Sequence, residues 1–117
     1  MAQDDTPKAT DGWVMLPSDG TTSTRAFAVV RNPGMYDIYL VSASSEIAGN
    51  VELRQGGDGE AKELRVPAYG KLTMKADGAH LGLIDLKRPL EEGESVRLTL
   101  VTDSDVKIRV DALVQKE

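Results

Sequence analysis

Short apolar stretches alternate with turn-forming residues along most of the chain. Inside many of these stretches apolar and polar residues take alternate positions, which is typical of β-strands with one buried face. The clearest example is SVRLTLV at residues 95–101, where Val96, Leu98 and Leu100 share one face, and the segment 106–114 repeats the pattern. No stretch shows the apolar spacing of a convincing amphipathic helix. The pattern therefore predicts an all-β protein.

Eight or nine short strands are predicted, separated by turns rich in Gly, Pro, Asn and Asp. They are expected at residues 12–16, 22–31, 35–42, 51–54, 64–68, 72–75, 79–86, 95–101 and 106–114. The turn Asn32-Pro33-Gly34 is expected to join the second and third strands as a hairpin. The small, polar segment 44–50 has room for one helical turn, and Pro67 indicates an edge strand. Because each strand has one apolar face to bury, a two-sheet β-sandwich is the economical arrangement.

The length of the chain is that of one domain. Its 117 residues fall in the commonest size range for domains, about 100–150 residues. Residues 1–12 are polar and are predicted to be a flexible leader, followed by a single domain at residues 13–117. The start has the composition of a mature secreted N-terminus with an added initiator Met, so we expect a signal peptide to have been removed and the protein to lie outside the cytoplasm.

Composition and charge exclude several classes of function. Fourteen Lys and Arg against 19 Asp and Glu give a formal net charge of −5, which disfavours binding to nucleic acid. No apolar run approaches the ~20 residues of a membrane-spanning helix. The chain has no cysteine, so a disulfide, a thiolate metal site and a cysteine nucleophile are all excluded.

The only histidine, His80, lies in the predicted strand AHLGLIDL at residues 79–86. Alternation places it on one face with Gly82 and Ile84. A single histidine would have to serve any Ser-His-Asp arrangement, and the chain contains no GxSxG nucleophile motif. The glycine-rich segment 56–59 lacks the GK[ST] ending of a phosphate-binding loop. No catalytic residues are therefore predicted, and the protein is not expected to be an enzyme.

Metal binding is the other chemistry that the sequence offers. His80 has an imidazole, and Met15, Met35 and Met74 have thioethers, the soft ligands that select Cu(I). A single histidine in a strand is more often structural than a ligand, and Met74 lies on an apolar face where a core-filling role is the simpler interpretation. The residues alone leave both interpretations of His80 open.

Two long segments carry a family resemblance. NPGMYDIYLVSASSEIAGNVELR (32–54) and LRVPAYGKLTMKADGAHLGLIDLKRPLEEGESVRLTLV (64–101) resemble the PCu(A)C family of periplasmic copper chaperones, in order and in spacing. The likeness extends from about Trp13 to Val114. It implies a cupredoxin-like Greek-key β-sandwich outside the cytoplasm that carries Cu(I) toward the copper sites of cytochrome oxidase.

The chain departs from this family at the copper ligands. Members of the family bind copper through two histidines and two methionines, and the first histidine, which ends a "VELH" motif, corresponds to Arg54. The methionine-rich hairpin corresponds to residues 55–63, which contain no methionine. In the "HLM" motif of the last two ligands His80 is kept, but Gly82 replaces the methionine. An arginine has no lone pair to offer a metal, so one of four ligands remains.

This departure leaves alternative functions open. In the first, the protein keeps the scaffold, has mostly lost its Cu(I) site, and acts on a protein partner in copper or oxidase assembly; His80, Arg54 and Gly82 then line the remnant. In the second, it binds Cu(I) weakly through His80 with Met74, with an N-terminal amine-and-aspartate group, or with a second chain. A third alternative is a structural or adhesive role unrelated to metal.

Overall fold

The computed structural model describes residues 7–17, 20–55, 61–75 and 78–116. Nine strands form in this part of the chain, and no helix forms there, so the all-β prediction is confirmed. The strands are β1 (Lys8–Met15), β2 (Ser23–Arg31), β3 (Ile38–Ser45), β4 (Ala48–Gln55), β5 (Leu64–Val66), β6 (Lys71–Thr73), β7 (Ala79–Leu86), β8 (Ser95–Thr102) and β9 (Lys107–Gln115).

Seven of the strands close on themselves around one core. Their order is β1-β9-β8-β3-β4-β7-β2, and β1 pairs back with β2 to complete the circuit. The pairing of β1 with β9 is parallel, whereas the other pairs are antiparallel. The two layers expected of a sandwich are therefore joined at the margin by continuous hydrogen bonding. β6 adds to β2, and β5 pairs with β3 alone, as expected for an edge strand.

The interior is built from the alternating faces that the sequence predicts. In β8, Val96, Leu98 and Leu100 are buried, and β9 buries every second residue in the same way. Full burial of a leucine side chain stabilises the fold by roughly 1.5–3 kcal/mol. The predicted bounds of β7 are confirmed. Leu81 and Leu83 point from β7 into the same core with no exposed surface.

The predicted hairpin between the second and third strands is wrong. β2 pairs with β1, β6 and β7, whereas β3 pairs with β4, β5 and β8, so the turn at residues 32–34 crosses between the layers. Asn32 is buried and holds this crossing: its Nδ2 donates to the carbonyls of Tyr36 (2.7 Å) and Val66 (3.3 Å), and its Oδ1 accepts from the amide of Gly34 (3.0 Å). The side chain is thus a structural element of the connection as well as a turn former.

Two further boundaries differ from the prediction. The segment 44–50 forms no helical turn, because β3 continues to Ser45 and β4 begins at Ala48. Residues 8–12, assigned from the sequence to the leader, belong to β1. Their main chain pairs with β2, from Lys8 opposite Arg31 onward, and such pairing needs no apolar side chains to signal it. The first six residues of the predicted leader lie outside the described part of the chain.

Candidate functional site

The predicted site residues meet on the outer face of β7, between β2 and β4. In the antiparallel register Gly82 lies opposite Arg25 on β2 and Glu52 on β4, and His80 lies opposite Arg54 on β4. Residues directly opposite each other in antiparallel strands point to the same face. The register therefore gathers these five positions on one patch of sheet.

His80 is buried, with 1% of its surface exposed. Its Nδ1 lies 2.9 Å from the carbonyl oxygen of Gly78, and a carbonyl can only accept, so Nδ1 carries the proton and donates. In the neutral imidazole, the lone pair is then on Nε2. The ring of Phe27 lies 6.0 Å from the imidazole and stacks on Trp13 at 4.6 Å. His80 thus presents Nε2 as its single ligand atom.

Arg54 fills the space beside Gly82. A Cβ built on Gly82 would lie 2.8 Å from Nε and 3.4 Å from Cδ of Arg54, so a side chain at this position requires the flexible arginine side chain to move. The guanidinium also donates a hydrogen bond to the carboxylate of Glu52. The two departures from the copper-binding pattern are therefore neighbours, because the arginine at 54 extends over the position of the glycine at 82.

A cleft of about 410 Å³ opens over these residues. Its described lining consists of His80, Arg54 and Gly82 together with Met15, Leu16, Pro17, Thr21, Ser23, Thr24, Arg25, Leu83 and Ile84. The structure thus brings together the three residues that the sequence singles out for the remnant.

The three methionines considered as Cu(I) ligands lie in different places. Met15 is half-buried and lines the cleft with His80. Met74 packs in the hydrophobic core with 6% exposure, and Met35 is 62% exposed on the loop after β2. The position of Met74 makes it unsuitable as a partner for His80. Met15 is the thioether that the fold places near the imidazole.

The remaining suggestions for additional ligands, an N-terminal amine-and-aspartate group or a second chain, stay predictions. The described residues contain no group of three or more His, Cys, Asp and Glu able to hold a metal ion. The N-terminal amine and its aspartates lie outside the described part, as does the segment 56–60 that corresponds to the methionine-rich hairpin. Within the described ranges, no helix is long and apolar enough to cross a membrane.

Sequence reasoning missed Arg25 and the proximity of Met15. Both residues reach the cleft because β2 lies between β1 and β7. The sequence did not predict these neighbours, since the predicted hairpin placed β2 beside β3. Arg25 lies two positions before Phe27 in β2, so the two side chains share one face of the strand. That spacing would have placed Arg25 on the His80 face had the β2–β7 pairing been known.

The family described as "Putative lipoprotein LpqE-like" matches residues 8–114. "Putative lipoprotein Lxx21020" of Leifsonia xyli subsp. xyli is 33% identical over 106 residues, covering 84% of this chain. The chain spans only 63% of the length of that relative.

Solved PCuAC domains share the fold. The apo PCuAC domain from PmoF1 superposes with a TM-score of 0.84 at 26% identity, covering 93% of this chain and 92% of that one. The Cu(I) form of DR1885 from Deinococcus radiodurans gives 0.74 at 32% identity, covering 99% and 81%. The copper-bound PCuAC domain from PmoF2 gives 0.83, covering 93% and 92%, and at 21% identity supports the fold alone. The cupredoxin-like fold and the resemblance to PCuAC proteins are confirmed.

Proposed function

The chain belongs to the LpqE-like family and shares its fold with the PCuAC copper chaperone domains, and from this premise we propose that its own Cu(I) site is mostly lost and that it acts by binding a protein partner. The lipoprotein description of its family supports a place outside the cytoplasm, and we propose a role there in copper or oxidase assembly. The observation that carries the loss of the site is the guanidinium of Arg54 beside Gly82.

Both the number of ligands and the local charge oppose Cu(I) binding at His80. A selective Cu(I) site needs two or more convergent soft ligands, and of the family's four only His80 remains. Arg54 lies directly opposite His80, and both residues line the same cleft. Two unit charges at ~5 Å in an effective dielectric of about 20 repel by about 3 kcal/mol. Glu52 offsets part of this repulsion through its ion pair with Arg54.

Partner binding is supported by an exposed aromatic surface, defined by Met35, Tyr36 and Tyr69. These side chains are 62%, 76% and 72% exposed, and their two loops are tied together by the hydrogen bond from the amide of Tyr69 to the carbonyl of Gly34 (3.0 Å). Tyr69 adopts a φ of 56°, a conformation that non-glycine residues rarely take. Tyrosine and methionine are enriched at the centres of protein interfaces.

The charge beside this aromatic surface indicates the character of the partner. Arg31 and Lys71 lie directly opposite each other across the β2–β6 pair, next to the hydrogen bond from the amide of Asn32 to the carbonyl of Gly70 (2.8 Å). Like charges in this arrangement destabilise a sheet. A partner with acidic residues around an apolar site would relieve the repulsion, so we propose an acidic protein surface as the occupant.

A second candidate function is weak Cu(I) binding by His80 and Met15. It is favoured by one observation, namely that these two side chains line the same cleft. An imidazole and a thioether make a two-ligand site, but the cation of Arg54 also lines that cleft and opposes it. Any such site is therefore expected to be weaker than one with four ligands.

We propose no catalytic activity for this cleft. A histidine that acts as a general base is commonly oriented by a carboxylate, whereas Nδ1 of His80 donates to a main-chain carbonyl. None of the described residues lining the cleft is an aspartate or a glutamate.

The test is an anaerobic titration of Cu(I) in competition with a chromophoric chelator. We expect the unmodified chain and His80→Ala to compete equally poorly, because one imidazole does not outcompete the chelator. Met15→Ala tests the second candidate, and Met35→Ala, which removes a thioether outside the cleft, is its matched control. Tight one-to-one binding that His80→Ala abolishes would refute the lost-site proposal. Loss in Met15→Ala as well, with Met35→Ala unchanged, would establish the second candidate.

A further inference from the structure

Basic side chains line the cleft around Gly82, although the chain as a whole has a formal net charge of −5. Its ionisable lining residues, among those described, are Arg25, Arg54 and His80. One carboxylate, that of Glu52, accepts a hydrogen bond from Arg54. Basic groups therefore predominate among the described residues that line the cleft, whereas acidic groups predominate in the chain as a whole.

The two arginines approach one gap from both sides. Gly82 interrupts the row of side chains on the outer face, with Arg25 opposite it on β2. From β4, the side chain of Arg54 reaches over the glycine, with Nε 2.8 Å from the place of a Cβ. Within the described part of the chain the ion pairs involve other arginines, and Arg25 has no carboxylate partner. Its guanidinium is therefore available to a ligand.

The rest of the cleft wall is largely apolar. Met15, Leu16, Pro17 and Ile84 contribute this surface, and the hydroxyl of Ser23 adds a polar group near Arg25. A volume of about 410 Å³ falls within the range of small-molecule sites, about 300–1,000 Å³. The planar guanidinium fork matches the two oxygens of a carboxylate. Charge and shape together select an anion with a hydrocarbon body.

We propose that this cleft binds a carboxylate attached to a short apolar group, with Arg25 and Arg54 holding the carboxylate and the apolar wall covering the hydrocarbon. The proposal rests on the loss of the copper site, since Cu(I) on His80 would compete for the same space. Two sources can supply this chemistry, a free organic acid or the C-terminal carboxylate of a partner protein with an apolar last residue.

The test is an amide NMR titration of the full, metal-free chain, kept free of metal by a chelator, with sodium hexanoate. We expect saturable shifts at Arg25 and Gly82, and none with hexanamide, which has the same hydrocarbon body without the charge. Charge-assisted hydrogen bonds are strong enough that Arg25→Gln should weaken binding about tenfold or more. Arg31→Gln, an exposed arginine further along the same strand, is the matched control and should bind as the unmodified chain does.

An acetylated Ala-Leu-Leu peptide with a free C-terminus, compared with its C-terminal amide, distinguishes the two sources. Binding of the free-acid peptide but not the amide identifies a protein C-terminus, and binding of hexanoate alone identifies a small organic acid. The proposal is overturned if hexanoate causes no saturable shifts, if hexanamide causes the same shifts, or if Arg25→Gln binds unchanged. Because no metal is present in this experiment, such a failure would not bear on the proposal that the copper site is lost. Tight Cu(I) binding in the separate titration would refute that proposal directly.

Discussion

Rebuilding two of the three missing ligands beside His80 should restore Cu(I) binding. The double variant Arg54→His with Gly82→Met returns an imidazole to β4 and a thioether to β7, on the face that His80 shares. It also removes the guanidinium, which otherwise lies 2.8 Å from the Cβ that the new methionine requires. Neither substitution alone both adds the two ligands and removes the guanidinium.

The size of the effect follows from the charges and ligands involved. Two unit charges about 5 Å apart repel by about 3 kcal/mol at an effective dielectric of about 20. The ion pair of Arg54 with Glu52 reduces the repulsion between Arg54 and a Cu(I) ion below this value. About 1.4 kcal/mol is a factor of ten in affinity. Relief of the repulsion and two added soft ligands should together strengthen binding by at least about a hundredfold.

Competition with a chromophoric Cu(I) chelator under anaerobic conditions measures this gain. Gly82→Met alone should gain less than about tenfold, because it keeps the cation. Arg31→His adds an imidazole outside the cleft and controls for non-specific binding, and circular dichroism confirms that each variant is folded. A double variant that binds no tighter than the unmodified chain would refute the reasoning. So would equal affinity in Gly82→Met alone, since the guanidinium would then be no obstacle.

Three further predictions concern stability. Gly82→Ala should leave the free energy of unfolding nearly unchanged, because the better strand preference of alanine is offset by the displacement of the Arg54 side chain from the new Cβ, but it should stabilise the protein by about 0.5–1 kcal/mol in an Arg54→Ala background; a urea-unfolding double-mutant cycle with coupling near zero would contradict that contact. Asn32→Ala should lower the free energy of unfolding, measured in urea, by about 2 kcal/mol, because it leaves main-chain groups without their hydrogen-bond partner. Asn50→Ala, at an exposed position, should lower it by less than about 0.5 kcal/mol. Equal losses in the two variants would contradict the role of Asn32 in holding the crossing between the layers. The pKa of Glu94 is lowered from 4.5, first by the hydrogen bond from the Glu91 amide, so its stabilisation is present above pH 4.5 and is lost as pH falls through the depressed value; Glu94→Gln should flatten acid unfolding, and an unchanged acid midpoint would count against it.

Local alternation and family pattern together predicted the parts of the fold that depend on neighbouring residues in the chain. The bounds of β7 and the buried faces of β8 and β9 follow from period-two patterning, because each strand must hide one face whatever its neighbours are. His80, Arg54 and Gly82 were singled out by comparison with the copper pattern. The β4–β7 register then placed them together.

What the sequence could not predict depends on which strands become neighbours. Asn32 reads as a turn residue, and nothing local shows that its side chain is buried or that the turn crosses between layers. The early start of β1 at Lys8 rests on main-chain pairing that leaves no apolar signal. Arg25 and Met15 join the cleft only because β2 lies between β1 and β7. The close approach of Arg54 to position 82 likewise depends on the register of β4 and β7.

The central claim is that His80 no longer serves as a Cu(I) ligand, and nitrogen-15 NMR of the imidazole tests it most directly. The chain contains one histidine, so the imidazole signals belong to a single residue. Before metal is added, the account predicts a ring that carries a proton on Nδ1, as the hydrogen bond to Gly78 requires. On adding one equivalent of Cu(I) in the presence of the competing chelator, it predicts no change in the Nε2 resonance. A stoichiometric shift of Nε2 that saturates at one copper per chain would contradict it.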